Sequence, residues 1–237
     1  MTSLRALADL GPATPGVLPD WLLMQAATDG WIDAGAGGLA PGQVQPASVD
    51  LRLGGRALRV RCSFLPHDDP VEDKVKSYVF DELDLTGEGA VLERNRPYLI
   101  PLVESLALPP FVQGRANPKS STGRLDVFTR VITDHSDRFD DVAAGYRGPL
   151  YLEVVPLSFA VRVRAGLALN QLRLMVGRQP LGDGELTARH GRDPLLFRGP
   201  RPAAEAELAT GGGLLLSLDL KGDGQRRVGY RSRRHAG

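Results

Sequence analysis

The segment NPKSSTGRLDV, residues 117–127, sets two adjacent hydroxyls, Ser120 and Ser121, shortly before the guanidinium of Arg124. Hydroxyls and converging backbone N–H groups suit an anion, and a planar guanidinium grips phosphate or carbonyl oxygens. Lys119 and Arg115 make the surroundings positive. Ser, Thr and Gly are also ordinary turn formers, so this pattern alone reads first as a surface turn with a solvated arginine. Downstream, GYRGPLYLEVV carries Glu153 within an alternating strand pattern. A carboxylate on a strand buried on one face is costly without partners or a task, and burial of such a group suits a general base that takes a proton from water and returns it. By residue type alone, a glutamate pointing outward from a half-exposed strand is the plainer reading.

Other chemistry is weaker. The one cysteine, Cys62, excludes an internal disulfide framework and a paired-cysteine zinc site. The four histidines, His67, His135, His190 and His235, lack metal-ligand spacing and read as solvated loop residues, so no metal site is expected. GEGA and GDG are turns without the strand-to-helix context of a phosphate loop. The basic stretch RRVGYRSRR reads as a solvated tail. With 237 residues, a net charge of +1 and 42% apolar residues, the chain reads as a soluble globular protein uncommitted to nucleic acid. Neither a long apolar run nor a secretory leader is legible, so no membrane partner is expected and the cytoplasm is the default.

The elements that must position these groups are mostly strands. LPDWLLMQAATDGWI (18–32) predicts one short helix, with Asp20 placed to cap it and Gly30 to stop it. From Val44 onward SVDLRLG, RALRVRCSF, AVLERNRPYLIPLVESLALP, RLDVFTRVI, GPLYLEVV, SFAVRVRAG and LNQLRLMV are short and rich in Val and Leu, with Gly, Pro and Asp between them. That predicts a mainly β fold, a barrel or double-sheet jelly roll with a short N-terminal helix. Residues 1–195 are expected to form this β domain and 196–213, rich in Ala, Pro and Gly, a linker. Residues 214–237 are either a basic tail or the start of a truncated similar unit, because Ser217, Asp219 and Leu220 echo Ser48, Asp50 and Leu51.

The order PASVDLRLG, then LERNRPYLIPLVESLALPPFVQGRANPKSSTGRLDV, then GYRGPLYLEV, then GLALNQLRL, resembles the dCTP deaminase branch of the dUTPase-like superfamily from about Leu18 to Val176. The resemblance implies a distorted β-barrel or jelly roll assembled as a homotrimer, with active sites between subunits. It implies hydrolysis of dCTP to dUTP and ammonia without zinc, with Mg2+ carried on the substrate triphosphate. By motif position it makes Glu153 the general base, gives Ser120 the water and base, and gives Ser121 phosphate. It further assigns Arg124, Arg138 and Gln171 to the site, and Tyr146 as the aromatic of the Gly-aromatic-x-Gly turn. Lys119 stands where arginine is more familiar, and Thr122 and Gly123 replace a common apolar pair. Ala143 occupies the position of the family's sugar-binding aspartate, so Asp140 or Asp141 would have to reach in from a longer loop. No nucleotide-covering segment is recognisable after residue 177. Zinc-dependent cytidine deaminases need paired cysteines, so a carboxylate would activate the water here. Two readings stay open beside deamination: dUTP diphosphatase activity, alone or added to it, and a non-catalytic nucleotide-binding β domain.

Overall fold

Alternating apolar and polar residues punctuated by Gly and Pro build strands through most of the chain. The computed structural model describes residues 7, 10–11, 15–177, 180–222, 224 and 227–229. In chain order the elements are β1 (Gly16–Val17), α1 (Asp20–Thr28), β2 (Ile32–Asp33), β3 (Val44–Gln45), β4 (Ser48–Arg52), β5 (Arg56–Val60), α2 (Val71–Val75), β6 (Val79–Asp84) and β7 (Ala90–Leu92). They continue with β8 (Tyr98–Ala107), β9 (Val112–Pro118), α3 (Ser120–Arg124), β10 (Val127–Thr133), β11 (Asp141–Val142), β12 (Arg147–Pro156), β13 (Val161–Val163) and β14 (Ala168–Val176).

Two antiparallel sheets face each other. One runs β11-β9-β14-β4-β3 with β1 on β14, and the other β10-β12-β8-β5-β6 with β2 on β8. Val49, Leu51, Leu172 and Leu174 from the first meet Ile100, Leu150, Leu152 and Val154 from the second in one apolar core. The sheets do not close, and the architecture is a distorted jelly roll, mainly β as the sequence predicts. The expected N-terminal helix is α1, which buries Leu22, Leu23 and Ala26. Asp20 is its first residue rather than its cap, and its carboxylate accepts from the Trp21 N–H at 2.8 Å. Gly30, at φ +77°, follows its end.

Strand β12 is covered on both faces, because its residues alternate between two apolar clusters. Leu150, Leu152 and Val154 enter the central core. Tyr151 joins a smaller cluster with Leu58, Val60, Phe64, Val71, Val75, Leu99 and Ile132. Glu153, two residues from Tyr151, shares its side of the pleat.

Strand β8 ties the sheets together. Along its pairing with β12, the step from Pro149 to Tyr151 is opposed by the longer step from Ser105 to Pro101, a bulge in β8. At this bulge Leu102 bridges to Leu53, and the Gly54 N–H donates to the Pro101 carbonyl at 2.8 Å. A Cβ on Gly54 would lie 2.6 Å from that carbonyl oxygen, so only glycine fits the crossing. Beside it Glu104, fully buried, accepts from the Arg52 Nε, the Arg52 backbone N–H and the Gln43 Nε2, each at 2.7 Å.

By internal contacts the described residues through Gly177 form one unit and those from 180 to 229 a second. The second unit holds α4 (Asp183–Arg192), the hairpin of β15 (Phe197–Arg198) and β16 (Arg201–Pro202), and a 3₁₀ turn over Glu205–Glu207. His190 corrects the expectation of a solvated loop histidine. It is buried on α4, with Nε2 2.8 Å from the Ala203 carbonyl and Nδ1 accepting from the Leu195 N–H at 3.0 Å. Beyond the bridge between Thr210 and Leu214, the echo segment forms no strand among the described residues, and Leu215, Leu216, Leu218 and Leu220 are exposed. Most of the basic tail, with His235, lies outside the described residues. Among the described residues no helix is long and apolar enough to cross a membrane.

Candidate active site

The serine pair stands on a single helical turn. Lys119, in extended conformation, precedes α3, and its N–H donates to the Leu169 carbonyl at 3.0 Å. The Thr122 hydroxyl donates to the same carbonyl at 2.8 Å, and Thr122 is buried. The turn is thereby pinned to β14. Ser120, Ser121 and Arg124 all face outward. Among the described residues their side chains make no hydrogen bond or ion pair, leaving two hydroxyls and a guanidinium open to a ligand. Ser120 and Arg124 are four residues apart, on one side of the turn.

Lys119 is differently placed. Its ammonium pairs with Asp50 of β4, whose carboxylate is buried and whose Oδ1 has no hydrogen-bond partner among the described residues. Asp50 lies across from Gln171 in the β4–β14 register, and Asn117 of β9 flanks Gln171 on the other side. The Gln171 Oε1 accepts from the Ser48 hydroxyl at 3.0 Å. Gln171 and Lys119 thus belong to one polar cluster on the first sheet, next to α3.

Glu153 lies on the second sheet and is 3% exposed. Register sets it opposite Arg130 of β10 and Leu99 of β8. Its Oε1 accepts from the Arg130 Nη2 at 2.7 Å, and the same nitrogen donates to the Ser63 hydroxyl at 2.6 Å. The Arg130 guanidinium carbon is 3.5 Å from the Phe139 ring centre and 4.9 Å from that of Phe128. Among the described residues no hydrogen bond reaches the Glu153 Oε2, and none joins Ser120 or Ser121 to Glu153.

The longer loop carries the remaining candidates. The Asp140 carboxylate accepts from the Val131 N–H at 2.8 Å, and burial raises its proton affinity above the ordinary aspartate range. Asp140 holds φ at +62°, a conformation aspartate tolerates better than most residues. Asp141 pairs with Arg115 and lies 3.8 Å from Arg138, which is otherwise exposed. The Tyr146 hydroxyl donates to the Pro149 carbonyl at 2.6 Å and accepts from the Asp134 N–H at 3.2 Å. Burial pushes that phenol well above its usual range, so it stays protonated. Gly145, at φ +74° against Pro110, supplies the turn before it. Among the described residues no three His, Cys, Asp or Glu side chains gather where they could hold a metal ion.

Sequence reasoning missed Arg130, Ser63 and Phe139. The available signal was the opposite charge of Arg130 and Glu153, but their pairing follows from a register that the intervening loop hides.

Residues 14–178 match the model of the 2'-deoxycytidine 5'-triphosphate deaminase N-terminal domain. A dCTP deaminase of Halorubrum lacusprofundi is 32% identical over 181 residues, covering 70% of this chain and 86% of that protein. A relative from Corynebacterium glutamicum, named dCTP deaminase, dUMP-forming, is 32% identical over 183 residues, covering 73% of this chain and 89% of that protein. The crystal structure of 2'-deoxycytidine 5'-triphosphate deaminase from Agrobacterium tumefaciens superposes with a TM-score of 0.79 at 44% identity, over 88% of this chain. The present chain spans 60% of the length of that one.

Proposed function

From the premise that this chain belongs to the dCTP deaminase N-terminal-domain family, we propose that it hydrolyses the cytosine amino group of dCTP, with Glu153 as general base. The observation that carries the reading is a carboxylate, 3% exposed, at the family's motif position on a strand covered on both faces. Water loses a proton to Glu153 as its oxygen bonds to C4. The C4–N4 bond then breaks, with one water hydrogen ending on the departing ammonia and the other on ring N3. The products are dUTP and ammonia. Burial strengthens the electrostatics of such a step, and general base catalysis contributes about 10²–10⁴-fold.

Ser120 helps hold water and base, while Ser121 and Arg124 take the triphosphate; that their side chains have no hydrogen-bond or ion-pair partner among the described residues supports this assignment. Magnesium enters as part of the substrate, on the phosphates. Arg138, Gln171, Lys119, Tyr146 and Asp140 complete the proposed surroundings of the nucleotide. The single cysteine supports a zinc-independent route. A homotrimer with sites between subunits belongs to the same reading. It is supported by the outward-facing serine turn and by Leu125 and Phe128, 47% and 41% exposed beside it. The proposed place of action is the cytoplasm.

The test incubates the chain with dCTP, CTP or dUTP and magnesium, with a zinc chelator present, and separates ammonia, dUTP, dUMP and pyrophosphate. Ammonia from dCTP is expected. Glu153→Gln keeps the shape, loses the basicity, and should abolish ammonia release while dCTP still binds. Undiminished turnover in that variant would overturn the assignment, and pyrophosphate without ammonia would replace it with a diphosphatase.

A further inference from the structure

The guanidinium of Arg130 is held more firmly than countercharge alone requires. One nitrogen bridges the Glu153 Oε1 at 2.7 Å and the Ser63 hydroxyl at 2.6 Å, and the Phe139 and Phe128 rings lie 3.5 and 4.9 Å from its central carbon. Cross-strand register brings its backbone opposite that of Glu153. Its side chain is 25% exposed and that of Glu153 is 3% exposed. A planar guanidinium fixed by aromatic faces loses little freedom on forming each hydrogen bond, so it orients its partner as well as balancing its charge. The carboxylate is left asymmetric, one oxygen engaged and the other without a hydrogen-bond partner among the described residues.

We propose that Arg130 is a positioning residue that holds Oε1 of Glu153 and leaves Oε2 to exchange the proton with the attacking water. The inference rests on the deaminase reading and adds to it the oxygen that reacts and the group that selects it. Ser63 and Phe139 act through Arg130. Arg130→Lys keeps a charge near Glu153 but loses the planar group lying against the Phe139 and Phe128 rings; Arg130→Met keeps bulk and loses the charge.

The experiment compares the full chain with Arg130→Met, Arg130→Lys and Arg130→Ala, reading ammonia release from dCTP, dCTP affinity by calorimetry, and thermal unfolding. Misplacing a reacting group by an ångström costs about 10²-fold in rate, so kcat should fall about that far in Arg130→Met while the dCTP Kd stays within about twofold. Arg130→Lys should recover part of the rate. Added guanidinium ion should raise the Arg130→Ala rate saturably, an effect a merely structural role would not give. Parent-like kcat in folded Arg130→Met or Arg130→Lys overturns the inference, as does a loss confined to KM or a folded Arg130→Ala indifferent to guanidinium. An inactive parent chain removes the deaminase reading and this inference together, whereas an active parent with indifferent Arg130 variants removes this inference alone.

Discussion

The Thr122 hydroxyl reaches the Leu169 carbonyl at 2.8 Å, so a buried threonine in the α3 turn fastens that turn to the start of β14. Valine has nearly the same shape without the hydroxyl. Thr122→Val should cost about 1 kcal/mol of stability, the usual net worth of such a bond, read as a lower urea midpoint at unchanged slope. The dCTP KM should rise several-fold as the serine turn loosens, and Thr122→Ser should restore both. An unchanged KM in Thr122→Val would show that the turn needs no pin.

Outward-facing Ser121 and Arg124 have no side-chain partner to lose among the described residues. Ser121→Ala and Arg124→Met should therefore leave the unfolding temperature near that of the parent and raise KM for dCTP. The loss should be smaller for dCMP, which lacks two of the phosphates. Equal losses for the two nucleotides would place these residues elsewhere than on the triphosphate.

Lys119 should behave in the opposite way. It neutralises Asp50, whose side chain is 8% exposed. Leaving a buried carboxylate without its countercharge costs up to about 3 kcal/mol, so Lys119→Met should unfold at lower denaturant. Lys119→Arg, which keeps the charge, should not. A Lys119→Met protein as stable as the parent would leave the lysine free for phosphate.

Asp140 gives a pH signature. Burial raises its proton affinity in the folded state above the ordinary value of 3.8. Between that value and the raised one, the unfolded chain has released the proton while the folded chain keeps it. Stability therefore falls as pH rises through the window. Asp140→Asn keeps an acceptor for the Val131 N–H and suits the positive φ. Urea melts from acid to neutral pH should show this part of the slope removed, and identical pH profiles for variant and parent would contradict the assignment.

The strands were legible because alternation and turn residues are local signals. GPLYLEVV and LNQLRLMV became β12 and β14, and the helix expected over 18–32 became α1. The short helices were not legible. VEDKV and SSTGR are a single turn each, too short for a helical period to emerge, and SSTGR contains a glycine. In RLDVFTRVI, the first residue closes α3, and Asp126, at φ +57°, separates it from β10. The candidate site was half legible. The serines, Arg124 and Glu153 stood out by type and order, whereas Arg130 resembled any cation on an edge strand until register set it across from Glu153. Burial of Glu153 was equally unreadable, because it is a tertiary matter: α2 and the segment near Phe64 pack on Tyr151, two residues away on the same side of β12, and Arg130 lies against the carboxylate itself.

The bulge in β8 makes one strand a member of two assemblies, flanking the Glu153 strand at Leu99 and anchoring the Glu104 cluster five residues later. Neither assembly can open while that strand stays paired, so the amides of β8 and β12 should exchange with solvent deuterium as one cooperative block, in the slowest class of the molecule. Weakening the Glu104 end would then quicken exchange around the proposed base, a readout of mechanical continuity that requires no nucleotide.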